Sequence, residues 1–439
     1  MKKEYQKLRS YLLLWSTQSL SGLGSAMTNF ALVIWLYQKS GSALETALLS
    51  ICSYAPYVLM SIFAGALSDR WDKKRTMLVC DFFAAMCTVC VLVLLKADLL
   101  QPWHMYVLNA INGLMNTVQQ PAGDVAATLL IPQEYYQKTS GLRSFSQSLI
   151  TILTPVFATL LFTFAGMDLV ILVDLATFVI AFVVLRFFIT IPQAPNKEET
   201  GETLLQSAKM GLRWLKENPL VLKLIFFLAF INLVASAYDA TLPAMLLTRE
   251  HGSETVLGLV NACAGAATLA GSVIVTMLPT PKNRIRMVCL TMWFSMSTEN
   301  FLLAFGRTPL VWCIGSVLGW IVIPLMNANL DVIMRTSIPA DMQGRVFSCR
   351  NTLQFFTIPV GFFLGGLLVD ELFEPLMAAV SPAGLLVRLF GAEKGSGAAL
   401  MFFVLGIAGV LVCLIFCWIL RHYLRGGRNS DSAIPAEKE

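Results

Sequence analysis

Runs of about twenty apolar residues, long enough to cross a hydrocarbon layer of roughly 30 Å as helices, recur along the whole of this 439-residue chain. They fall near 11–38, 45–67, 76–96, 103–130, 140–165 and 168–190, and again near 219–247, 255–278, 286–306, 309–334, 346–370 and 398–421. Lipid offers the backbone no water, so each run must close its own hydrogen bonds as a helix. Composition agrees. Hydrophobic residues make up 56% and charged residues 13%, with a mean hydropathy of +0.68, whereas a soluble protein carries about a quarter charged residues. The expected fold is an all-α membrane protein of twelve transmembrane helices in two six-helix groups.

The first run follows Lys2, Lys3, Lys7 and Arg9, as in a signal peptide, but its length and its Gln18, Asn29 and Trp35 mark a retained helix. Orientation follows from lysine and arginine. With a cytoplasmic N-terminus, all of the 32 except Lys39, Lys96, Arg249, Arg307, Arg388 and Lys394 fall in inward-facing segments. The positive-inside rule therefore puts both termini in the cytoplasm of a multi-pass plasma-membrane protein. The net charge of +5 reflects that topology and gives no hint of nucleic acid. Most of the ten cysteines lie within spans; Cys87 and Cys90, spaced C-x-x-C on an apolar helix, read as packing and not as redox or zinc chemistry. His104, His251 and His422 are scattered, so neither a metal nor a cofactor is expected.

Between the halves, 192–218 begins polar and then places Leu204, Leu205, Ala208, Leu212 and Leu215 at helical spacing, with Lys209, Arg213 and Lys216 nearby. This reads as an amphipathic helix on the inner leaflet that tethers two bundles. The expected organisation is a six-helix bundle at 1–191, the linker at 192–218, a second bundle at 219–425 and a polar cytoplasmic tail at 426–439. The bundles carry a repeat: Asp124-Val125 precedes Ile131-Pro132 as Asp331-Val332 precedes Ile338-Pro339, 207 residues on. Related halves of this kind place a substrate site between them near the midplane. Residues 371–397 are long for an outward loop and contain a second apolar stretch around Leu385–Phe390, read as a short helix resting on the outer interface.

A polar atom in hydrocarbon is costly unless it finds a partner or water. In the fourth span Asn109, Asn112, Asn116 and Gln120 recur at intervals of three and four and so share a face. Gln18, Ser21, Ser25 and Thr28 do the same in the first span, with Asn29 alongside. A shared aqueous cavity explains the two stripes better than helix-to-helix hydrogen bonding, which draws on the same residue types. In the second half, Asn232, Ser236 and Asp239 mark one face of the seventh span, Asn327 and Asn329 sit in the tenth, and Asn351 and Gln354 in the eleventh. The cavity candidates are Gln18, Asn29, Asn109, Asn112, Asn116, Gln120, Asn232, Asn327 and Gln354. Desolvation favours the protonated form of a buried carboxylate, which suits it to carry protons; Asp239 is the first candidate for that role.

The stretch GALSDRWDKKR at 65–75 packs six charges between two apolar runs. Its Gly65, Leu67, Asp69, Arg70 and basic run Lys73, Lys74, Arg75 resemble the signature loop between the second and third helices of major facilitator superfamily transporters. The resemblance covers essentially the whole chain, through the twelve spans, the linker and the half-repeat. It implies alternating access in which this loop holds the inward side closed, with Asp69 against the N-terminus of the eleventh helix, where the helix dipole favours a carboxylate. Arg70 and Arg75 would pair with Asp124. It also implies that the third, sixth and ninth helices are peripheral, so Asp81, Asp174 and Glu299 are read as structural pairings.

More narrowly, Asp72, Gln120-Pro121-Ala122, Ile131-Pro132 and Gly344-Arg345-Val346-Phe347-Ser348 resemble the macrolide-efflux and enterobactin-exporter branch of the drug:proton antiporters. Where many such antiporters have an arginine in the fourth span this chain has Asn112, and of the glycine-rich motif of the fifth only Pro155 remains. The implied function is proton-coupled efflux of amphipathic drugs or metabolites by a monomer. An uncoupled facilitator, an importer and a lysophospholipid flippase are the alternatives. The sequence has no nucleophile elbow, nucleotide-binding loop or metal cluster, so an enzyme or an ATP-driven pump is not expected.

Overall fold

A computed structural model describes residues 2–131, 136–192, 204–339, 342–381, 384–421 and 423; within these, side chains at 2–7, 61–70 and 136–141, among others, lie outside the description. Every regular element among the described residues is helical. Helices α1 (Lys2–Ser40), α2 (Ala43–Arg70), α3 (Lys73–Lys96), α4 (Pro102–Leu130) and α5 (Tyr136–Val183) precede the short α6 (Leu204–Glu217). Then come α7 (Pro219–Leu246), α8 (Glu254–Met277), α9 (Arg284–Phe305), α10 (Pro309–Trp320), α11 (Ile323–Ser337), α12 (Gln343–Phe355) and α13 (Thr357–Leu368). Helices α14 (Glu374–Ala379), α15 (Leu385–Phe390) and α16 (Ser396–Ile419) complete the series.

Nine segments of the described residues are long and apolar enough to cross a membrane. One of them, Phe145–Phe188, holds two spans. Gly166 adopts φ 73°, ψ −172° in mid-helix, a conformation that glycine reaches without steric cost. Gly22 packs on Ile150 and Gly24 on Asp174, although an unbroken helix would set those partners about 36 Å apart. The chain therefore reverses at Gly166. Adding the more polar α4 and α9 brings the spans to twelve. Helices α10 and α11 make one of these, interrupted at Ile321 and Val322, and α12 with α13 another, interrupted at Phe356.

Two compact units divide the chain: Met1–Leu204 with Leu257–Ala262, and Leu205–Val256 with Cys263–Glu439. The first unit has two apolar cores. One gathers Met27, Leu36, Leu49, Val91, Met105 and Ile171, the other Tyr11, Leu14, Met77, Ala126, Leu130 and Leu185. Helices α1, α3 and α4 each contribute to both, at opposite ends, as does the sixth span, through Ile171 of α5 and Leu185 just beyond its end. Between the cores these four helices carry polar residues, among them Gln18, Ser25, Asp81, Asn116 and Asp174.

In the second unit α7 is buried along most of its length, against α13, α16 and α12. Phe390 of α15 is buried between Phe305 and Phe403, with ring centroids 5.5 and 5.7 Å away. Arg249, only 4% exposed, donates from Nη1 to the Gly306 carbonyl at 2.8 Å and from Nη2 to the Phe390 carbonyl. Burial lowers the pKa of this guanidinium from its usual value, Glu393 and Glu374 opposing the shift and Arg307 adding to it. Phe390 at the end of the stretch is plugged into the bundle, where three aromatic rings bury more area together than Phe390 would at an interface, while Leu385 and Leu389 of the same short helix are exposed. Helix α6 is docked as well: Gly211 lies against the Arg345 carbonyl and Cys349 of α12, and Leu215 is buried while Leu212, Arg213 and Lys216 are exposed. The polar start of the linker at 193–203 and the tail at 426–439 lie outside the described residues.

Candidate substrate cavity

Between the two apolar cores of the first unit lies a cavity of about 430 Å³. Helix α1 lends it Gln18, Ser21, Ser25 and Asn29, and α4 lends Asn112, Asn116, Gln119 and Gln120. The α1 stripe arises because residues three and four apart share a helix face, and on α4 the same spacing runs from Asn112 to Gln120. Asp81 of α3 and Asp174 of α5 complete the polar wall, and Ala26, Ala84, Leu175 and Phe178 supply apolar surface.

The two carboxylates are held by neutral donors. Gln119 Nε2 donates to Asp81 Oδ1 at 2.5 Å, Gln18 Nε2 to its Oδ2 at 3.2 Å, and Ser25 Oγ to Asp174 Oδ1 at 3.0 Å. The pairings read from the sequence therefore exist, yet both aspartates also line the cavity. Gln119 was missed by the sequence reading because the stripe ends on its neighbour Gln120. The α3 and α5 carboxylates could have been found by depth, since each falls between the two apolar cores, as the amides of α1 and α4 do.

Asn109 departs from its expected role. Its side-chain amide is buried and donates to the Leu49 carbonyl at 2.8 Å. One turn on, Gly113 lets α4 approach α2 so closely that an added Cβ would stand 2.9 Å from the Ser53 carbonyl carbon. This end of the stripe serves helix packing, one turn beyond the cavity.

The amides of the second unit are mostly engaged. Asn232 Nδ2 donates to the Gln354 carbonyl at 3.2 Å, Arg350 Nε donates to Gln354 Oε1 at 3.0 Å, and Thr357 Oγ1 donates to the Ala229 carbonyl at 2.7 Å. The first and last of these bind α7 to the interruption between α12 and α13, while the second stays within α12. Asn327 is exposed on α11. Asp239 is exposed although Ala237, Tyr238, Ala240 and Thr241 around it are buried. Its neighbour Tyr238 donates to Glu299 Oε1 at 2.7 Å, and Trp320 Nε1 donates to the same oxygen at 2.9 Å. Glu299 is thus tied to α7 and to the end of α10, at the interruption of the tenth span.

In the 65–75 turn, Gly65, Leu67, Asp69 and Arg70 sit on α2 with side chains outside the described residues. Asp72 caps α3, accepting from the Arg75 backbone N at 2.8 Å. Lys74 Nζ donates to the Arg186 and Ile189 carbonyls at 3.0 and 2.6 Å, closing the end of the sixth span. Lys73 is buried and donates to the Trp71 carbonyl at 3.0 Å. Asp124 pairs with Arg143, so the expected partner Arg75 is displaced by an arginine of α5, whose first arm follows α4 directly. Arg75 itself is exposed.

A polar cavity at mid-depth in a bundle of apolar helices, within a chain of twelve spans in related halves, defines a polytopic membrane transporter. Residues 14–362 match the model of the Major Facilitator Superfamily, and the chain belongs to that family. It is 23% identical over 371 residues to macrolide efflux protein A of Streptococcus pyogenes, covering 83% of this chain and 90% of that one. It is likewise 23% identical over 363 residues to the multidrug efflux pump Tap of Mycolicibacterium fortuitum, covering 80% and 87%. Among solved structures, the nucleoside transporter NupG superposes with a TM-score of 0.66 at 12% identity, over 93% of this chain and 99% of that one. A bacterial homologue of the human lysosomal transporter Spinster gives 0.67 at 14%, over 95% and 98%.

Proposed function

We propose that the protein is a proton-coupled exporter of amphipathic drugs or metabolites, working by alternating access as a monomer in the plasma membrane with both termini in the cytoplasm. The observation that carries this reading is the cavity of the first unit, set between two apolar cores. Its 430 Å³ falls within the range of about 300–1,000 Å³ that suits drug-sized ligands. Gln18, Asn29, Asn112, Asn116 and Gln120 meet the substrate there, with Asn327 as the candidate of the second unit. Relatives that are macrolide and multidrug efflux proteins support an amphipathic cargo and outward direction. Asp239 is the proposed proton carrier, since an exposed carboxylate on an otherwise buried stretch of helix combines access to water with a protein interior. The turn with Gly65, Leu67, Asp69, Arg70, Lys73 and Arg75, and Asp124 near it, is the proposed gate.

The test is accumulation of fluorescent dyes and macrolides in cells expressing the protein, with and without a protonophore. Lowered accumulation that the protonophore abolishes is the expected result. Asp69→Asn should lose export at normal membrane abundance, and Asp239→Asn should lose its dependence on the proton gradient. Export that persists unchanged under the protonophore would remove proton coupling from the assignment.

A further inference from the structure

The cavity of the first unit is charged on one side only. Asp81 and Asp174 belong to its wall, and among the described residues no lysine, arginine or histidine does. The groups that hold the two carboxylates, Gln18, Gln119 and Ser25, are all neutral. A carboxylate enclosed with neutral donors still lacks a counter-charge, and desolvation makes that lack expensive. A second, independent feature points the same way. Asn29, Asn112, Asn116 and Gln120 face the cavity and have no hydrogen-bond partner among the described residues. Four amides on two helices are thus left for something that enters.

Size decides what enters. A site for a bare inorganic cation closes around it at about 2.0–2.6 Å from each oxygen, which a space of 430 Å³ does not do. The same space takes the head of an organic molecule. Phe178 and Leu175 line it beside Asp174, giving apolar contact and an aromatic ring, whose face attracts a cationic centre.

We infer that this cavity recognises an organic cation, the protonated amine or quaternary centre of an amphiphile, with Asp81 and Asp174 as its counter-charges and the free amides of α1 and α4 fixing its orientation. The inference rests on the export reading for its setting but names a chemistry of its own. It gives two carboxylates on helices expected to be peripheral a direct part in specificity.

The experiment is equilibrium binding of radiolabelled tetraphenylphosphonium to the purified full-length protein in lipid nanodiscs, corrected against empty discs, with neutral triphenylphosphine oxide as the uncharged comparison. The wild type should bind the cation and not the neutral compound. Asp81→Asn and Asp174→Asn should each weaken binding by roughly tenfold or more, and Asp81→Glu should retain it. Equal binding of the two compounds by the wild type overturns the inference without recourse to any variant, as does undiminished binding by both well-folded asparagine variants. The export reading fails separately. Carboxylate-dependent binding in a protein that exports nothing sinks export and leaves this site standing, whereas export of neutral compounds alone, with both aspartates dispensable, does the reverse.

Discussion

Arg143 on α5 pairs with Asp124 on α4, and 207 residues later Arg350 on α12 lies within electrostatic reach of Asp331 on α11. The half-repeat is therefore carried by a charge relationship as well as by a string of letters. Each arginine stands on the helix that follows the carboxylate's helix, so opposite charges recur at the same register in both units. Both side chains of the first pair are about half exposed, at 60% and 48%. Such pairs are screened and contribute up to about 1 kcal/mol.

Neutralising this first pair should accordingly leave the fold intact. Asp124→Asn and Arg143→Gln, singly and together, should lower the melting temperature of the purified protein by about 1–2 °C. A double-mutant cycle should return a coupling below about 1 kcal/mol. A coupling of several kcal/mol would mean that the pair is desolvated and that the exposure described for it is wrong.

Glu299 makes a contrasting case, for it is 5% exposed and both its donors fall on one oxygen. Gly319 lies so close that an added Cβ would stand 2.6 Å from the Glu299 Cβ. Glu299→Gln keeps an acceptor for Tyr238 and Trp320, whereas Glu299→Ala strands two buried donors at about 1–3 kcal/mol each. The alanine variant should melt well below the glutamine variant, and Gly319→Ala should resemble the alanine variant through overpacking, which costs about 1–3 kcal/mol. Indistinguishable melting of the two Glu299 variants would dissolve this cluster as a structural tie.

The spans and their grouping were legible in the sequence because lipid allows helices little alternative, so apolar length alone set them out. Legibility ended where convergence in space began. Asp81 and Asp174 come from helices far apart in the chain, and the distance along sequence carries no sign that they share one cavity. On α4, Asn112, Asn116 and Gln120 line the cavity. At Asn109 the stripe turned toward Leu49, a choice made by the close approach of α2 at Gly113. In the second half, the polar residues Asn232 and Gln354 looked the same as those of the first, but Asn232 donates to the Gln354 carbonyl beside the interruption at Phe356, and the Gln354 side chain accepts from Arg350 of its own helix. Which polar residues were spent on packing was decided by the close approach at Gly113 and by the interruption near Phe356.

That distinction predicts opposite phenotypes for two asparagines on one helix. Asn109→Ala loses the hydrogen bond to Leu49 and should cost about 1 kcal/mol of stability with little change in which compounds are exported. Asn116→Ala, exposed to the cavity, should leave the melting temperature near that of the wild type and alter the spectrum of exported compounds. Melting curves beside an accumulation panel check both, and a changed spectrum for Asn109→Ala with none for Asn116→Ala would reverse the assignment.

Arg249 offers the test of how the segment after α14 is held. Its guanidinium reaches two backbone carbonyls that otherwise have no shared anchor, Gly306 at the end of α9 and Phe390 at the end of α15, while lying over the Trp312 ring with its centroid 6.0 Å away. A lysine has one ammonium in place of a planar fork and does not serve both carbonyls and the ring at once. Arg249→Lys should therefore recover little of what Arg249→Ala loses. The Phe390 carbonyl loses this donor at about 1–3 kcal/mol, whereas the Gly306 carbonyl keeps Trp312 Nε1 at 3.0 Å, so both variants should melt lower, and limited proteolysis should begin within 380–397, where Phe390 would leave its place between Phe305 and Phe403. Recovery of wild-type melting and protease resistance by the lysine would show that charge alone, and not the forked geometry, holds this segment to the bundle.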